Sequence, residues 1–182
     1  MQQSPGKRAL YLGAMLLLFA ALRPMYAQSA SEYQVKAAYL LNFAKFVEWP
    51  PGEFASSDSP IQLCVLNDRP FHSELNRTVK GKTIAGRPVA AVAVQDAEQS
   101  RGCHMLFINS FQAAHARRIP DVLRNTSVLT VGESSGFFEE GGIINFVLQD
   151  DHVRFEVNHR AANAVGLHIS SRLLTVAKLV IE

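Results

Sequence analysis

The 182-residue sequence predicts a single α/β domain, in which a mixed sheet of about six strands is flanked by helices on both faces. Two observations support this fold class. In the middle of the chain, short apolar runs without strict alternation are separated by helical segments, a pattern typical of strands that are covered on both faces. Towards the C-terminus, two strictly alternating runs flank an Asp-Asp pair, which predicts an antiparallel hairpin.

The first predicted element is a helix over residues 31–48. Ser31 lies three positions before Gln34, which is the spacing of a capping box and marks a helix start. Pro50 and Pro51 end the helix, because proline cannot continue it. The broad apolar face of this helix predicts the side turned to the core and consists of Val35, Tyr39, Leu40, Phe43, Phe46 and Val47.

Strands and helices then alternate along the chain. Strands are predicted at residues 61–66, 88–94, 103–108 and 127–131, and helices at residues 71–79 and 112–124. Gly81 marks the turn that closes the first of these helices, since glycine tolerates the backbone angles of a tight turn. This alternation is what places helices on both faces of a sheet.

The predicted hairpin joins residues 143–149 to residues 152–158 through a turn at Asp150 and Asp151. The facing pairs are then Gln149 with His152, Val147 with Arg154, and Asn145 with Glu156. One face is apolar and belongs to the core: Ile144, Phe146, Leu148, Val153, Phe155 and Val157. The other face is polar: Asn145, Gln149, His152, Arg154 and Glu156.

A final helix is predicted after the hairpin. Its expected N-cap is Ser170 or Ser171, because a serine side chain can accept a hydrogen bond from the first helical turn. Apolar residues at one-face spacing predict its core side: Leu173, Leu174, Ala177 and Val180.

Residues 1–27 have the pattern of a secretory signal peptide. Lys7 and Arg8 precede an apolar run over residues 9–22, which is shorter than the roughly 20 residues that a membrane span needs. Cleavage is expected near Ala27 or Ser29, and the alternative reading is a single membrane anchor. The remaining domain, residues 31–182, is then expected to be exported and soluble, and periplasmic in a bacterium.

The basic charge of the chain belongs to this leader. Residues 1–27 hold three basic residues and no acidic one, which leaves 15 basic and 16 acidic residues in the rest of the chain. No run of Lys or Arg remains there. The sequence therefore argues against a nucleic-acid partner.

The two cysteines, Cys64 and Cys103, predict a disulfide in an exported chain. The alternative is a pair of buried thiols in the core. A metal site is disfavoured, because there is no Cys-x-x-Cys motif and the six histidines are scattered. We therefore expect neither a metal nor a cofactor.

Residues 132–136 fit the Gly-x-Ser-x-Gly pattern of a hydrolase nucleophile, here Ser134. Gly141 and Gly142 follow too soon for the long helix that such an elbow requires, so an esterase is a weak alternative. A turn after a strand is the simpler interpretation. Phe137 and Phe138, in the same loop, are expected to be buried under it.

Five polar residues of the C-terminal third could form a partner or ligand surface: Asn145, Arg154, Glu156, His168 and Arg172. They favour a small-molecule sensor as an alternative function, because α/β folds bind ligands at strand ends. A solvated sheet face is the commoner explanation of the hairpin residues.

Four segments together resemble the YfiR-like family of periplasmic proteins. The most specific segment is residues 36–50, which read KAAYLLNFAKFVEWP. The others are residues 142–146 (GIINF), 153–158 (VRFEVN) and 166–174 (GLHISSRLL). They run in family order and cover nearly all of the chain after the leader.

The resemblance implies a Rossmann-like fold and a regulator without catalytic residues. Such proteins repress inner-membrane diguanylate cyclases of YfiN type, which make cyclic di-GMP, a signal for biofilm formation. An outer-membrane lipoprotein of YfiB type can sequester the repressor, and members can form homodimers. The resemblance also matches Cys64 and Cys103 to a cysteine pair of a well-known member, whose second pair has no counterpart here.

Overall fold

The structure is a computed structural model that describes residues 23–112, 119–123 and 125–182. The chain divides into two compact units, residues 1–33 and 34–182, and the second contains the sheet. Most of the predicted signal peptide and part of the helix predicted at residues 112–124 lie outside the described residues.

Five helices and ten strands make up the described regular structure, besides two short 3₁₀ helices at Glu98–Gly102 and Ser110–Gln112. The helices are α1 (Arg23–Phe46), α2 (Arg69–Val79), α3 (Ile119–Val122), α4 (His159–Ala164) and α5 (Ser171–Val176). The strands are β1 (Val47–Glu48), β2 (Ile61–Leu66), β3 (Thr83–Ile84), β4 (Arg87–Val94), β5 (Met105–Ile108), β6 (Leu129–Gly132), β7 (Ile144–Gln149), β8 (His152–Asn158), β9 (His168–Ile169) and β10 (Leu179–Ile181).

The main sheet is mixed, which confirms the predicted fold class. Its strands lie in the order β3-β4-β2-β5-β6-β7-β8-β10. The five strands from β4 to β7 run parallel, whereas β3 and β8 run antiparallel to their neighbours β4 and β7. The sheet has eight strands rather than about six, because the edge strands β3 and β10 have only two and three residues, too few to show a strand pattern. A separate two-stranded sheet pairs β1 with β9.

Aromatic side chains attach α1 to the hairpin of β7 and β8. Tyr39 and Phe43 on α1 contact Phe146 and Phe155, with ring centroids 4.9–5.8 Å apart. Phe107 on β5 extends the cluster, its ring 6.2 Å from that of Phe146. Tilted and edge-on aromatic pairs of this kind stabilise by about 1 kcal/mol each beyond the area they bury.

The opposite face of the sheet has its own apolar cluster. Its fully buried members are Cys64, Leu66, Val94, Cys103, Leu106, Ile108, Ile119, Leu123, Val128 and Phe137. The parallel strands are therefore covered on both faces, as their continuous apolar sequences require.

The hairpin has the predicted register. The facing pairs are Gln149 with His152, Val147 with Arg154, and Asn145 with Glu156. Asp150 and Asp151 have φ angles of 50° and 58°, as the two central residues of a type I′ turn require. Aspartate tolerates this left-handed conformation better than most residues.

Two residues of the hairpin differ from the prediction. Leu148, predicted to lie in the core, is 65% exposed, because β7 extends past the end of β6 and the hairpin tip has no layer over it. Asn145, placed on a solvated face, is only 9% exposed, because it lies beside Gly132 of β6 in the interior of the sheet.

Both terminal helices also differ from the prediction. Ser31 lies inside α1 and is not its N-cap, since no helix-breaking residue lies between Pro24 and Phe46. Ser170 is the N-cap of α5, as predicted, but that helix ends at Val176. The β-branched residues that follow form β10 and pair in parallel with β8.

A disulfide joins Cys64 to Cys103, with Cα atoms 5.9 Å apart. Cys64 lies on β2, and Cys103 lies just before β5, at the end of the 3₁₀ helix. The bond therefore fixes the segment that crosses from β4 to β5 over β2. The predicted pairing is confirmed.

Loss of this disulfide is expected to destabilise the domain. The bond closes a loop of 39 residues, and the entropy of the unfolded chain gives about 4 kcal/mol as the ideal contribution. We expect Cys64→Ala and Cys103→Ala each to lower the free energy of unfolding by about 2–4 kcal/mol in urea titrations. Reduction of the wild type should have the same effect, and no change on reduction would contradict this account.

Candidate functional site

Polar side chains collect where the parallel strands end. β4 and β5 lie on opposite sides of β2, so the chain reverses its direction of travel across the sheet at this point. In open α/β sheets, the crevice at the carboxyl ends of the strands at such a switch point is the usual binding region.

Asp68 and Asn109 form the first polar contact at this edge. Asn109 Nδ2 donates to Asp68 Oδ2 over 2.7 Å, and both side chains are buried. Asp68 is also the N-cap of α2, because its Oδ1 accepts from the Phe71 backbone N–H over 3.0 Å. Asn109 Oδ1 in turn accepts from the Gln112 backbone N–H. These hydrogen bonds hold residues 109–112, the segment directly after β5, against the start of α2.

Glu133 forms the second polar contact. It follows β6, and its Oε1 accepts from the Ser110 backbone N–H over 3.1 Å. Its Oε2 pairs with Lys36 Nζ of α1, and the two side chains are only 15% and 7% exposed. This charge pair therefore connects α1 to the ends of β5 and β6 from within the protein.

Asn145 brings an unsatisfied acceptor to the same region. Its Oδ1 is buried and has no hydrogen-bond partner among the described residues, as is also the case for Gln112 Oε1. An unsatisfied buried acceptor costs about 1–3 kcal/mol, and such groups in native proteins often mark places where a ligand or water binds.

Three apolar side chains are exposed around this edge, and we call them the carboxyl-edge surface: Val35, Phe111 and Leu148. Their exposed fractions are 40%, 88% and 65%. Val35 precedes Lys36 on α1, Phe111 follows the end of β5, and Leu148 lies at the projecting tip of the hairpin. Large exposed apolar side chains at a binding edge are candidates for contact with a partner.

The five residues predicted as a surface lie on three elements of the domain: the hairpin, β9 and α5. Asn145 and Glu156 face each other across the hairpin, and Arg154 lies two positions from Glu156 on the same face. Glu156 is held by Lys178 at 3.4 Å. His168 and Arg172 lie elsewhere, on β9 and α5, and β9 pairs with the strand that follows α1.

The Gly-x-Ser-x-Gly segment is a series of turns. Residues 134–141 form turns after β6, and no helix starts directly after Ser134, so the elbow of a hydrolase is not formed. Phe137 is buried between Gly132 and Gly142, where a Cβ at either glycine would overlap its ring. Packing of Phe137 therefore explains these two glycines, and its burial confirms the prediction for this residue.

A separate aromatic cluster closes the amino edge of the sheet. The ring of Phe54 stacks on His104 at 4.4 Å, and the Arg87 guanidinium lies 3.9 Å from the Phe54 ring centroid. Burial, and secondarily the positive charge of Arg87, lower the pKa of His104. The neutral imidazole suits its contact, in which Nδ1 accepts from the Gln62 backbone N–H over 3.1 Å.

A cavity of ≈ 260 Å³ lies beside α3 on the second face of the sheet. Its walls are mainly apolar and include Ile108, Ile119, Leu123, Val128, Phe137 and Ile143. Thr130 is the buried polar residue of the wall, and its hydroxyl oxygen accepts from the Ile143 backbone N–H.

No cluster of three or more metal-ligating side chains is found in the part of the chain that the structure describes. Among those same residues, none of the helices has both the length and the apolar character that crossing a bilayer requires.

Sequence reasoning missed the polar residues at the carboxyl edge. Asp68, Asn109 and Glu133 each follow directly or nearly directly after a strand, and that position was a usable signal. Phe111 gave no such signal, since it lies between the strand predicted at residues 103–108 and the helix predicted at residues 112–124, and one phenylalanine there does not show whether it is exposed.

Comparison with known proteins gives one family match. A model of the YfiR/HmsC-like family matches residues 33–178. A search of curated proteins finds no match.

Solved structures share the fold. A conserved domain protein from Vibrio cholerae superposes with a TM-score of 0.52 at 9% identity, over 66% of this chain and 54% of that one. An ABC domain in complex with L-Trp from Streptococcus pneumonia gives a TM-score of 0.50 at 13% identity, over 66% and 55%. The chain thus spans little more than half the length of these two proteins, and the likeness shows the fold alone.

The buried pair of Lys36 and Glu133 is expected to stabilise the carboxyl edge. Lys36→Met leaves a buried carboxylate without its cation, so we expect a loss of about 3 kcal/mol in the free energy of unfolding. The double variant Lys36→Met with Glu133→Gln should recover most of that loss in urea titrations, because no uncompensated charge remains. A double variant that loses as much free energy of unfolding as the two single variants together would contradict a direct interaction between the two side chains.

Proposed function

The chain belongs to the YfiR/HmsC-like family, and we propose that it is a periplasmic repressor of an inner-membrane diguanylate cyclase of YfiN type. Family membership supports a periplasmic regulatory role in cyclic di-GMP signalling in general. The match over residues 33–178 is the observation that carries the proposal, since it covers nearly the whole predicted domain. Proteins of this family are regulators, and we propose no catalytic role.

Repression of this kind is a shift between two states of the cyclase. A periplasmic protein can inhibit an enzyme across the membrane only if it binds the inactive state more tightly than the active state. A tenfold preference corresponds to about 1.4 kcal/mol, which a few well-packed contacts can supply.

We assign the docking of the cyclase to the carboxyl-edge surface. The projecting hairpin tip exposes Leu148 next to Asp150 and Asp151, and Phe111 is exposed at the same edge. An apolar centre with a charged rim is the usual composition of a protein-protein contact. The outer-membrane lipoprotein of YfiB type would compete by covering the same surface.

Export is part of this proposal. A signal peptide at residues 1–27 would deliver the domain to the periplasm, where the disulfide of Cys64 and Cys103 can form. Homodimers, which the family resemblance implies, are compatible with this location.

Deletion of the gene is expected to raise cellular cyclic di-GMP, and wild-type protein supplied in trans should restore the low level. Leu148→Asp should fail to restore it, because a charge at the centre of the contact weakens binding by about 2 kcal/mol, or roughly 30-fold. The readout is the nucleotide concentration together with capture of the cyclase periplasmic domain.

Val176→Asp is the matched control, since Val176 is as exposed as Leu148 but lies on α5. It should restore repression fully. An unchanged nucleotide level on deletion would contradict the repressor proposal. Full activity of Leu148→Asp would contradict only the assigned surface.

A second candidate function is the sensing of a small molecule, and the cavity of ≈ 260 Å³ favours it. Its mainly apolar walls suit a compact apolar or aromatic compound. A bound ligand at 100 times its dissociation constant would stabilise the protein by about 2.7 kcal/mol.

A thermal-shift screen of amino acids and vitamins should then find compounds that raise the melting temperature of the purified protein. Val128→Phe, which fills the cavity, should abolish the shift. A flat response across the panel, or a shift that persists in the filled variant, would contradict ligand binding in this cavity.

A further inference from the structure

The side chain of His104 extends the pairing of β2 with β5 by one residue. The two strands are in register from Leu63 and Met105 onwards. One position earlier, the His104 N–H donates to the Gln62 carbonyl over 3.0 Å. In return, Nδ1 of the imidazole accepts from the Gln62 N–H over 3.1 Å. The imidazole therefore takes the place that a strand carbonyl has in a regular ladder.

This contact requires a neutral imidazole. A ring nitrogen accepts a hydrogen bond only while it carries no proton, so the single ring proton of His104 is on Nε2. In the protonated ring both nitrogens are donors, and Nδ1–H would point at the Gln62 N–H. Protonation therefore breaks this hydrogen bond and drives the ring out of its position.

The surroundings of His104 also disfavour a charge on its ring. The residue is only 6% exposed, and burial, followed by the positive charge of Arg87, lowers the pKa of its imidazole. Arg87 contacts the same phenyl ring as His104, that of Phe54. Further titratable groups lie on the neighbouring elements: Glu48, Glu53, Asp58, Arg101 and His168. A proton on His104 would place a second cation beside Phe54, in a site that is nearly closed to water.

The imidazole also holds the loop that precedes β2, residues 51–60. Phe54 of this loop stacks on His104, with ring centroids 4.4 Å apart and an angle of 11° between the planes. Trp49, just before the loop, donates through Nε1 to the His104 carbonyl over 3.1 Å, and its ring lies 6.0 Å from the imidazole. Loss of the imidazole would therefore remove the surface on which the loop rests.

Arg87 holds the same loop at a second point. Its guanidinium donates to the carbonyls of Ser56 and Ser59 over 2.6 and 3.2 Å, and a guanidinium keeps its charge at every pH that a protein meets. Asp58 keeps its charge as well in the range in which histidine titrates, because the hydrogen bond from the Ser56 hydroxyl lowers the pKa of this carboxylate. Among these contacts, the one with His104 is therefore the one that mild acid breaks.

We propose that His104 is a pH switch that holds the loop of residues 51–60 closed at neutral pH and releases it in mild acid. On acidification, Nδ1 takes up one proton from the solvent, the ring loses the Gln62 N–H and turns outward, and Phe54 loses its stacking partner. The backbone bonds of His104 to Gln62 and Leu129 do not involve the ring. The loop therefore opens while the sheet remains folded.

This switch goes beyond the proposed repression and does not depend on it, since it lies at the amino edge of the sheet. Its direction follows from the linkage between protonation and conformation. The pKa of His104 is lower in the closed form than the ordinary histidine value of about 6.5, which applies once the ring is in water. The closed form is thus favoured above this pH and is lost as the pH falls below it. Each pH unit changes the ratio of closed to open form by up to about tenfold, until the closed form is itself protonated.

Trp49 is the single tryptophan of the chain, so its fluorescence reports on this edge. When the exported protein is titrated from about pH 8 to about pH 5, which spans the titration of histidine, its emission should shift to longer wavelengths. The far-UV circular dichroism should not change. In His104→Asn the emission should be independent of pH, because the amide oxygen replaces Nδ1 as the acceptor and does not titrate. His168→Asn is the matched control, since His168 faces Glu48, the residue before Trp49, and it should keep the wild-type transition.

Nitrogen NMR of the wild type tests the same switch without a substitution. At neutral pH the His104 ring should carry its proton on Nε2, and the Gln62 amide signal should move along the same titration curve as the Trp49 emission. A protonated Nδ1 at neutral pH, or an emission that stays constant over the titration, would overturn the proposal. So would a transition that persists in His104→Asn or disappears in His168→Asn. A circular dichroism signal that falls along the same curve would show unfolding of the whole domain and would also overturn it.

Discussion

The rest of the structure depends on the burial of β2 on both faces. Five of its six residues are fully buried, and an interior strand of this kind needs an apolar layer above and below it. The aromatic residues of α1 supply part of the layer on one face. The cluster around Cys64 and Phe137 supplies the other, and the disulfide keeps the crossing segment in place over β2.

The candidate site follows from the same arrangement. Since β2, β5 and β6 are parallel, the residues after them meet at one edge, and Asp68, Asn109 and Glu133 are brought together without being near in sequence. Asp68 and Asn109 bond to each other, and Glu133 pairs with Lys36. These contacts fix the polar side chains of the edge, while Phe111 and Leu148 remain exposed there.

Local patterns predicted most of the elements, and long-range packing decided what they could not. The β2 strand and the hairpin register follow from neighbouring residues, and the cysteine pairing follows from there being two cysteines in a chain expected to be exported; each is confirmed. The exposure of Leu148 depends on where the neighbouring strand β6 ends. The formation of β10 depends on the unpaired edge of β8, with which it pairs. Neither could be predicted from the periodicity of the local sequence. The five predicted surface residues were chosen because they are polar. A polar residue type does not indicate which element of the fold carries the side chain or which face of the sheet it lies on.

The central claim is that the carboxyl-edge surface receives the periplasmic domain of a diguanylate cyclase. Hydrogen–deuterium exchange of the protein with and without that domain tests the claim most directly. The account predicts slower exchange in peptides that cover residues 109–112 and 146–153, with unchanged exchange across residues 87–94. Protection confined to other segments, or no protection at saturating cyclase domain, would contradict it.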